Sequence, residues 1–546
     1  MNSPEISSDS HSGLSPLKIA LFRNIWLANL VSNLGTWMHD VGAGWLMTDL
    51  APDPFMVSLV QASVVLPGFL MTLPAGALAD IVDRRLYILT AVLWMTCMAM
   101  SIGIMTITGY TTPWSLILFT FALGMGSAMM MPAFISLIPD LVPRQQLIAA
   151  VTLHGIGMNI TRAAGPAIAG GLIALTGPGP VFLLNAVSFA GIFIVMYRYR
   201  SAQPRSTLPS ERFIGALRTG LQFARQSPPL QTVMVRSVAF FLMMSGLFAF
   251  LPLIVREEIG AGPQAYGWLV TAMGSGAVIA GLALTRLRAR LPVDAVMAFG
   301  IIAGALALLG LAFIRSVWPL IPVMLVAGAA WLSVVSTLQV SAQFSLPAWV
   351  RARGMAIYLT SFMGSTAIGS VVWGRVASAT DTTTALTSAV LVGVILNLAA
   401  SRWKLAAHAQ VDRSLAEGVP ESILPLSTFE QKGPVMVHVE YIIDADDRAA
   451  FEAAMRDVRR MRLRNGSVAW GLYQDTDDAG RYVEHFVDPS WLDHLRRRER
   501  LTVEDMEFKR VADAYHRGAE RPKVKHFVAR AAPKRRRYWF GRDPEE

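Results

Sequence analysis

Long apolar runs that carry almost no charge constrain this sequence more than any other feature. The segment PAGALADIVDRRLYILT, residues 74–90, joins two such runs, FMVSLVQASVVLPGFLMTLPAGALA and LYILTAVLWMTCMAMSIGIMTI. A helix on the surface of a soluble protein would place polar residues every three or four positions, and neither run does. Each run is long enough to cross about 30 Å of hydrocarbon, which takes roughly 20 residues. The charges between them, Asp80, Asp83, Arg84 and Arg85, therefore predict a short turn at one face of a membrane.

Hydropathy predicts an all-α polytopic membrane protein with twelve transmembrane helices in two halves of six. The composition agrees, because 53% of the residues are hydrophobic and only 16% are charged, against about a quarter charged in soluble domains. The predicted spans lie near residues 25–48, 55–79, 86–108, 113–138, 147–175, 180–198, 230–254, 264–285, 293–314, 317–345, 353–376 and 384–402.

The spans and the segments around them predict seven regions. Between spans six and seven, SERFIGALRTGLQFARQ has apolar residues at helical spacing with arginines between them, which is typical of an amphipathic helix on the inner leaflet. The regions are a polar N-terminal tail (1–17), a first half (18–203), a cytoplasmic amphipathic connector (204–229), a second half (230–405), a linker (406–433), a small cytoplasmic domain (434–530) and a basic tail (531–546).

The positions of the basic residues predict the orientation. Loops on the side of the N-terminus carry sixteen Lys and Arg residues, whereas the other side carries only Arg256, Arg315 and Arg375. By the positive-inside rule both termini are cytoplasmic, in a bacterial-type inner membrane. The net charge of +10 is then mostly topological, so nucleic acid is not an expected partner, although the basic tail suits contact with anionic lipid.

The region after the linker changes to the patterns of a soluble α+β domain. Alternating apolar residues predict strands at 435–441, 468–472, 482–487 and 523–529. Phe451, Met455, Val458 and Met461 predict one helix, and residues 489–515 a second. The order β-α-β-β-α-β is that of the ferredoxin-like split fold.

The charged turn resembles the signature of the loop between helices two and three in the major facilitator superfamily. The matching residues are Gly76, Asp80, Arg84 and Arg85. The resemblance implies a gate at the start of the eleventh predicted span, residues 353–376. In this gate Asp80 caps the N-terminus of that helix and pairs with Arg351 and Arg353 when the cytoplasmic side is closed. The alternative is that these charges only set the topology.

The stretch NITRAAGPAIAGG in span five resembles the antiporter-type motif of helix five in that superfamily. Its residues are Asn159, Arg162, Gly165, Pro166, Gly170 and Gly171. The Asn-x-x-Arg-x-x-Gly-Pro arrangement is similar to the enterobactin-exporter-like branch, also called transmembrane secretion effectors. This resemblance implies export of siderophore-like or amphipathic small molecules, and the glycines indicate a closely packed helix contact.

Three polar residues at membrane depth are candidates for proton coupling or substrate binding. Arg162 lies in span five, and His39 and Asp40 lie in span one. A charge at this depth is costly unless it is paired or hydrated. One hypothesis is that Asp40 or His39 titrates during transport while Arg162 pairs with it or binds an anionic substrate; the other is a static ion pair or an arginine that reaches the membrane edge.

The C-terminal domain resembles the dimeric α+β barrels of the antibiotic-biosynthesis-monooxygenase type. The resemblance implies a homodimer with a hydrophobic pocket that Trp470, Tyr473 and His485 could line. No metal-spaced cluster, nucleophile constellation or cofactor motif stands out in the sequence, so we expect no catalytic residue, metal or cofactor. A cofactor-free monooxygenase and a ligand-sensing or dimerising domain both stay open.

The source of energy is indicated by a missing motif. The sequence contains no GxxxxGK(S/T) phosphate-binding loop, which favours proton antiport over ATP. The expected partners are therefore a small-molecule substrate, protons and membrane lipid.

Overall fold

The computed structural model describes residues 14–81, 83–199, 213–347, 349–405 and 434–529. Most of the predicted N-terminal tail, the linker, the basic tail and the first part of the connector lie outside the described residues. The chain divides into two compact units. Unit 1 comprises Met1–Ser210, Met234–Gln339 and Tyr358–Ala406, and unit 2 comprises Glu211–Val233, Val340–Ile357 and Ala407–Glu546.

Long apolar helices form the first half of the membrane part. They are α1 (Ala20–Leu50), α2 (Pro54–Ile81), α3 (Arg84–Ile107), α4 (Pro113–Leu141), α5 (Leu147–Thr176) and α6 (Pro178–Arg198). Their boundaries follow local signals: Thr112 and Ser115 form a capping box at the start of α4, and Gly177 separates α5 from α6 with a φ of 78°. α1 packs against α5 and α6, and α3 packs against α4 and α6.

Six further long helices follow the connector helix, and we refer to them as the second half. The connector helix is α7 (Phe213–Gln226), followed by α8 (Pro228–Leu253), α9 (Pro263–Arg290), α10 (Val293–Phe313), α11 (Val317–Phe344), α12 (Arg351–Ala379) and α13 (Thr382–Ala400). A π-helical turn, Ile254–Glu258, continues α8. Arg236 of α8 is buried and donates to Asp294 of α10 at 3.0 Å.

Ten helices in the described part of the chain are long and apolar enough to cross a membrane. The two other long helices of the bundle, α1 and α5, are interrupted by polar residues, among them Asp40 and Arg162. The twelve-span count therefore stays a prediction. The multi-pass, mostly helical architecture is confirmed.

The C-terminal domain contains a four-stranded antiparallel sheet. Its elements are β1 (Val435–Ile442), α14 (Arg448–Arg464), β2 (Ala469–Gln474), β3 (Arg481–Asp488), α15 (Trp491–Glu499), α16 (Val503–Asp513) and β4 (Lys523–Val528), and the strand order is β2-β3-β1-β4. Val437 stands opposite Phe486 and His526 in the register. The expected single helix over 489–515 is two helices, because Thr502 and Asp505 form a capping box that starts α16.

The core of this domain lies between one face of the sheet and the helices α14, α15 and α16. The stripe predicted from sequence is confirmed, since Phe451, Met455, Val458 and Met461 are all buried. Alternate residues of β1, from Val435 to Tyr441, are buried with them. We call this sheet surface the inner face and the opposite surface the outer face.

Candidate functional site

Arg162 of α5 lies against α1 without an ionic partner among the described residues. Its guanidinium carbon is 5.7 Å from the ring centroid of Trp37, a cation–π distance. Its Nε is buried and has no hydrogen-bond partner among the residues that the structure describes. Within the ranges that the structure describes, neither Asp40 nor His39 forms the ion pair with Arg162 that one of the hypotheses contains. A cation left in this state at membrane depth needs water or an anion from elsewhere, because burial without a partner is costly.

His39 and Asp40 are neighbours in sequence but face different surroundings. His39 is fully buried, its ring lies 4.7 Å from that of Phe182 in α6, and both ring nitrogens lack partners among the described residues. Asp40 is partly exposed and lies near Tyr266 of α9. His39 thus points into the first half, whereas Asp40 lies where the two halves meet.

Glycines allow α5 and α9 to approach closely at this boundary. A Cβ built on Gly170 would lie 2.6 Å from the carbonyl oxygen of Pro263 and 3.1 Å from Cα of Gly267. A Cβ on Gly267 would lie 2.6 Å from the carbonyl oxygen of Pro166. A Cβ on the adjacent Gly171 would have no described atom within 4 Å. The close helix contact expected from the glycine motif is therefore present, and Gly170 rather than Gly171 makes it.

The π-helical turn Ile254–Glu258 brings Arg256 onto the end of α1. Arg256 forms an ion pair with Asp49 and donates to Thr48 Oγ1 at 3.2 Å. Its guanidinium carbon also lies 5.3 Å from the ring centroid of Trp45. π-helical turns inside α-helices occur frequently at functional sites. Here the turn gives the second half a charged contact with the first.

A second contact joins α12 to the start of α2 at the same end of the bundle. Ser378 Oγ donates to Asp53 Oδ1 at 2.5 Å and accepts from the backbone N–H of Phe55 at 3.0 Å. Arg375 lies over the Phe55 ring at 5.4 Å. We name these contacts between the halves the latch. The latch comprises Asp49, Asp53, Phe55, Arg256, Arg375 and Ser378.

Sequence reasoning misses the latch. It treats Arg256, Arg315 and Arg375 only as loop charges that set the orientation. The structure gives each a contact, since Arg315 pairs with Glu258 at 2.6 Å and donates to Thr383 at 2.8 Å. The available signal is the run Arg-Glu-Glu directly after a long apolar span. The residues that pair with this run lie in distant segments of the sequence, so the spacing of residues does not predict them.

The residues of the predicted gate motif are described only in part. Gly76 and Asp80 lie in the last turns of α2 and Arg84 begins α3, but their side chains lie outside the described residues. Arg85 donates to the carbonyl oxygens of Met196 at 3.0 Å and Tyr197 at 2.5 Å, so it caps the end of α6.

The predicted partners in the gate are in unit 2. Arg351 is exposed, and Arg353 lies beside Gly220 of α7, where a Cβ on the glycine would be 3.1 Å from Arg353 Cβ. The gating role of Asp80 stays a prediction. Within the same turn, Asp83 accepts from the backbone N–H of Leu86 and is the N-cap of α3.

The three residues expected to line a pocket in the C-terminal domain do not share one face. Trp470 lies on the inner face, where its Nε1 donates to the buried Glu484 at 3.0 Å. Tyr473 and His485 stack on the outer face with ring centroids 4.9 Å apart. Because residues three apart in a strand point to opposite faces, the expected grouping of Trp470 with Tyr473 is wrong.

A buried polar cluster in this domain is a further feature that the sequence patterns do not indicate. Asp488 accepts from Ser467 Oγ at 2.7 Å, from His494 Nδ1 at 2.7 Å and from Arg497 Nε at 3.0 Å. Burial alone would raise the pKa of Asp488, but Arg497, His494 and Ser467 together hold it well below its usual range. Ser467 binds the carboxylate and not the imidazole, so this is not the serine–histidine–carboxylate relay of a hydrolase.

Comparison with known proteins identifies the family. A family model described as transmembrane secretion effector matches residues 11–534. The chain belongs to the transmembrane secretion effector family. It is a multi-pass membrane protein of the MFS transporter type.

The curated relatives of this chain include three bacterial proteins that match it over about half of its length. The uncharacterized MFS-type transporter YfiS of Bacillus subtilis (strain 168) is 26% identical over 272 residues, 47% of this chain and 64% of that protein. The Staphyloferrin A transporter of Staphylococcus aureus (strain NCTC 8325 / PS 47) is 21% identical over 46% of this chain and 64% of its own length. Macrolide efflux protein A of Streptococcus pyogenes is 21% identical, over 48% and 65%. The chain thus spans less than two thirds of the length of these relatives.

Solved structures support the fold of the bundle. A bacterial homolog of the human lysosomal transporter Spinster, in an inward-facing and unoccupied conformation, is 14% identical with a TM-score of 0.55, covering 71% of this chain and 96% of that one. The nucleoside transporter NupG is 14% identical with a TM-score of 0.56, covering 70% and 98%. At these identities the likeness concerns the fold alone.

Proposed function

We propose that the protein is a secondary active transporter that exports small molecules across the inner membrane by alternating access, with proton antiport. The observation that carries the proposal is the boundary between the halves, where the latch closes one end of the bundle and where, among the described residues, Asp40 and Arg162 lie without pairing. Transport by rocking of two halves requires contacts of this kind that break and reform.

The same boundary and the relatives support a proposed substrate class. Arg162 offers a cation without an ionic partner in the described residues, next to the ring of Trp37. A guanidinium beside an aromatic ring suits a substrate with an anionic group and an apolar body. Siderophore-like and amphipathic compounds have this character, and relatives are named for staphyloferrin A and for macrolide efflux.

Asp40 is the proposed proton carrier. It is partly exposed at the boundary, near Tyr266 of the other half. Protonation there would remove a negative charge from the boundary between the halves, and so couple proton movement to a change between two states of this boundary. His39, enclosed in the first half, is the second candidate for this role.

Uptake into inverted membrane vesicles with an imposed pH gradient tests the proposal, because export from the cell corresponds to uptake into such vesicles. Staphyloferrin A and a macrolide serve as probes, and a pH-sensitive dye reports proton movement. We expect wild-type uptake to collapse with a protonophore and to persist without ATP. Asp40→Asn should abolish the proton movement that the probe induces, and Arg162→Gln should weaken binding of the anionic probe more than of the macrolide. Asp446→Asn, an exposed carboxylate in the C-terminal domain, is the control; coupling that survives both membrane substitutions would exclude these residues.

The orientation is proposed from the distribution of basic residues. Reporters fused after residues 203 and 420 should be active as cytoplasmic markers only, and a reporter near residue 110 as a periplasmic marker only. Reversal of any of them would contradict the assignment of both termini to the cytoplasm.

For the C-terminal domain we propose a ferredoxin-like fold that senses ligand or dimerises. The strand order β2-β3-β1-β4 supports the fold, and the exposed aromatic residues Tyr473 and Phe527 support pairing through the outer face. Expressing residues 430–546 and measuring the mass in solution tests this: a folded monomer at every concentration contradicts the dimer. Turnover by the isolated domain would favour the alternative of a cofactor-free monooxygenase.

A further inference from the structure

Helix α7 packs against the C-terminal domain inside unit 2. Phe223 of α7 is 1% exposed, and the guanidinium carbon of Arg464, at the end of α14, lies 6.0 Å from its ring centroid. Gln222 Nε2 donates to the carbonyl oxygen of Ser467 at 2.5 Å. The amphipathic connector therefore buries part of its surface against protein, although Leu221 stays exposed.

The connection between α11 and α12 joins the same contact. Trp349 meets Phe223 edge to face, with ring centroids 5.8 Å apart. The guanidinium carbon of Arg500 lies 4.7 Å from the Trp349 ring centroid. Two aromatic rings from two separate segments of the membrane part are thus each covered by an arginine of the C-terminal domain, Arg464 on one and Arg500 on the other.

The domain holds its contacting groups in fixed positions. Arg464 donates to Glu504 at 2.9 Å and to Asp505 at 2.5 Å, so its guanidinium is oriented before it meets α7. Ser467 is tied to Asp488 through its hydroxyl. Between them Gly466 has a φ of 114°, a left-handed value that allows the chain to turn there. A surface organised in this way is a built interface and not an accidental surface contact.

We propose that this interface anchors the C-terminal domain to α7 and to the α11–α12 connection, and that the anchored domain controls how readily the latch opens. The anchoring residues are Gln222, Phe223, Trp349, Arg464, Ser467 and Arg500. The part of the proposal that concerns the latch rests on the proposed transport function.

Chain continuity gives the physical route for this control. α7 leads directly into α8, and α8 continues into the turn that carries Arg256. Trp349 stands two residues before the start of α12, and α12 carries Arg375 and Ser378. The interface therefore lies directly before the first turns of α8 and α12. The opposite ends of these two helices carry the latch residues of the second half. A domain that fixes the first turns restricts the movement of both helices together.

Retention of the domain after cleavage of the linker tests the anchoring without any transport assay. A protease site is inserted within 406–433 of the full chain, the membranes are treated, and the released fragment is measured. We expect the wild-type fragment to stay bound. Trp349→Ala removes the ring and Arg500→Ala removes the guanidinium of one cation–π contact, so each should raise release of the fragment by about fivefold or more. Trp349→Phe should keep the fragment bound, because an aromatic face remains. Trp403→Ala and Arg510→Ala, which remove exposed side chains elsewhere, are the matched controls.

Labelling at the latch tests the control of gating. In a Cys97→Ser background, Thr48→Cys reports opening through its rate of reaction with a maleimide, because Thr48 is buried beside Arg256 while the latch is closed. Release of the wild-type fragment, or Trp349→Ala without cleavage, should increase this rate severalfold. A fragment that leaves the wild-type membranes as readily as the variants overturns the anchoring. If the wild-type fragment stays bound after cleavage, but its forced removal leaves the labelling rate unchanged, then the domain does not control the latch. This outcome does not depend on which substrate is transported.

Discussion

Replacement of Gly170 by alanine probes the boundary between the halves most directly. The added Cβ would lie 2.6 Å from the carbonyl oxygen of Pro263 and 3.1 Å from Cα of Gly267, whereas ordinary contacts begin at 3.4 Å. Both neighbouring atoms belong to the backbone, so no side chain can rotate away. α5 and α9 must therefore separate by about 0.8 Å or deform, and overpacking of this kind costs about 1–3 kcal/mol.

That cost falls on the state in which the latch is closed. Residue 170 lies near the end of α5 and Pro263 begins α9, so this contact belongs to the latch end of the bundle. A penalty of about 1–3 kcal/mol shifts a two-state equilibrium by roughly fivefold to 150-fold. We expect Gly170→Ala to lower the thermal midpoint of the purified protein and to raise the maleimide labelling rate of Thr48→Cys.

The neighbouring glycine provides the matched control. A Cβ on Gly171 meets nothing within 4 Å among the described residues, so Gly171→Ala should change neither measurement. Gly267→Ala should reproduce the effect of Gly170→Ala from the other side of the contact, since its Cβ would meet Pro166. Equal behaviour of Gly170→Ala and Gly171→Ala, at equal membrane levels, would refute the reasoning.

Three further predictions concern the latch, the gate motif and the C-terminal domain. Arg256→Gln and Asp49→Asn should each raise labelling at the latch, and the double variant should add little to either because one ion pair is lost in all three; additive effects would count against the pair. Asp80→Asn should reduce transport while membrane insertion stays intact, as measured by export and by immunodetection, and normal export would leave Asp80 with a topological role only. Desolvation and neighbouring positive groups lower the pKa of His526 from 6.5 to about 4, so the unfolded domain binds the proton first and stability should fall as the pH drops from 6.5 towards 4. Urea midpoints of residues 430–546 at pH 7.5 and 5 measure this fall, which His526→Gln should diminish; an unchanged slope in that variant would contradict the assignment.

The sequence by itself determined the parts of the structure that depend on local patterns. Uncharged apolar runs give the long helices because a backbone in hydrocarbon must satisfy its own hydrogen bonds. Alternation in 435–441 and the stripe from Phe451 to Met461 predict the strand, the helix and their buried faces. The same alternation separates Trp470 from Tyr473, since residues an odd number of positions apart in a strand point to opposite faces.

The partners of the charged residues were decided only by the tertiary structure. One hypothesis from the sequence pairs Arg162 with Asp40, but Arg162 lies against Trp37 and forms no ion pair in the described residues. Arg256 has the pattern of a loop charge, but it binds Asp49 across the boundary between the halves. Hydropathy and spacing report which residues enter a helix and which face they occupy. They do not report which distant helix packs there, because that choice depends on close backbone approaches such as Gly170 to Gly267, which form only when the whole bundle is assembled.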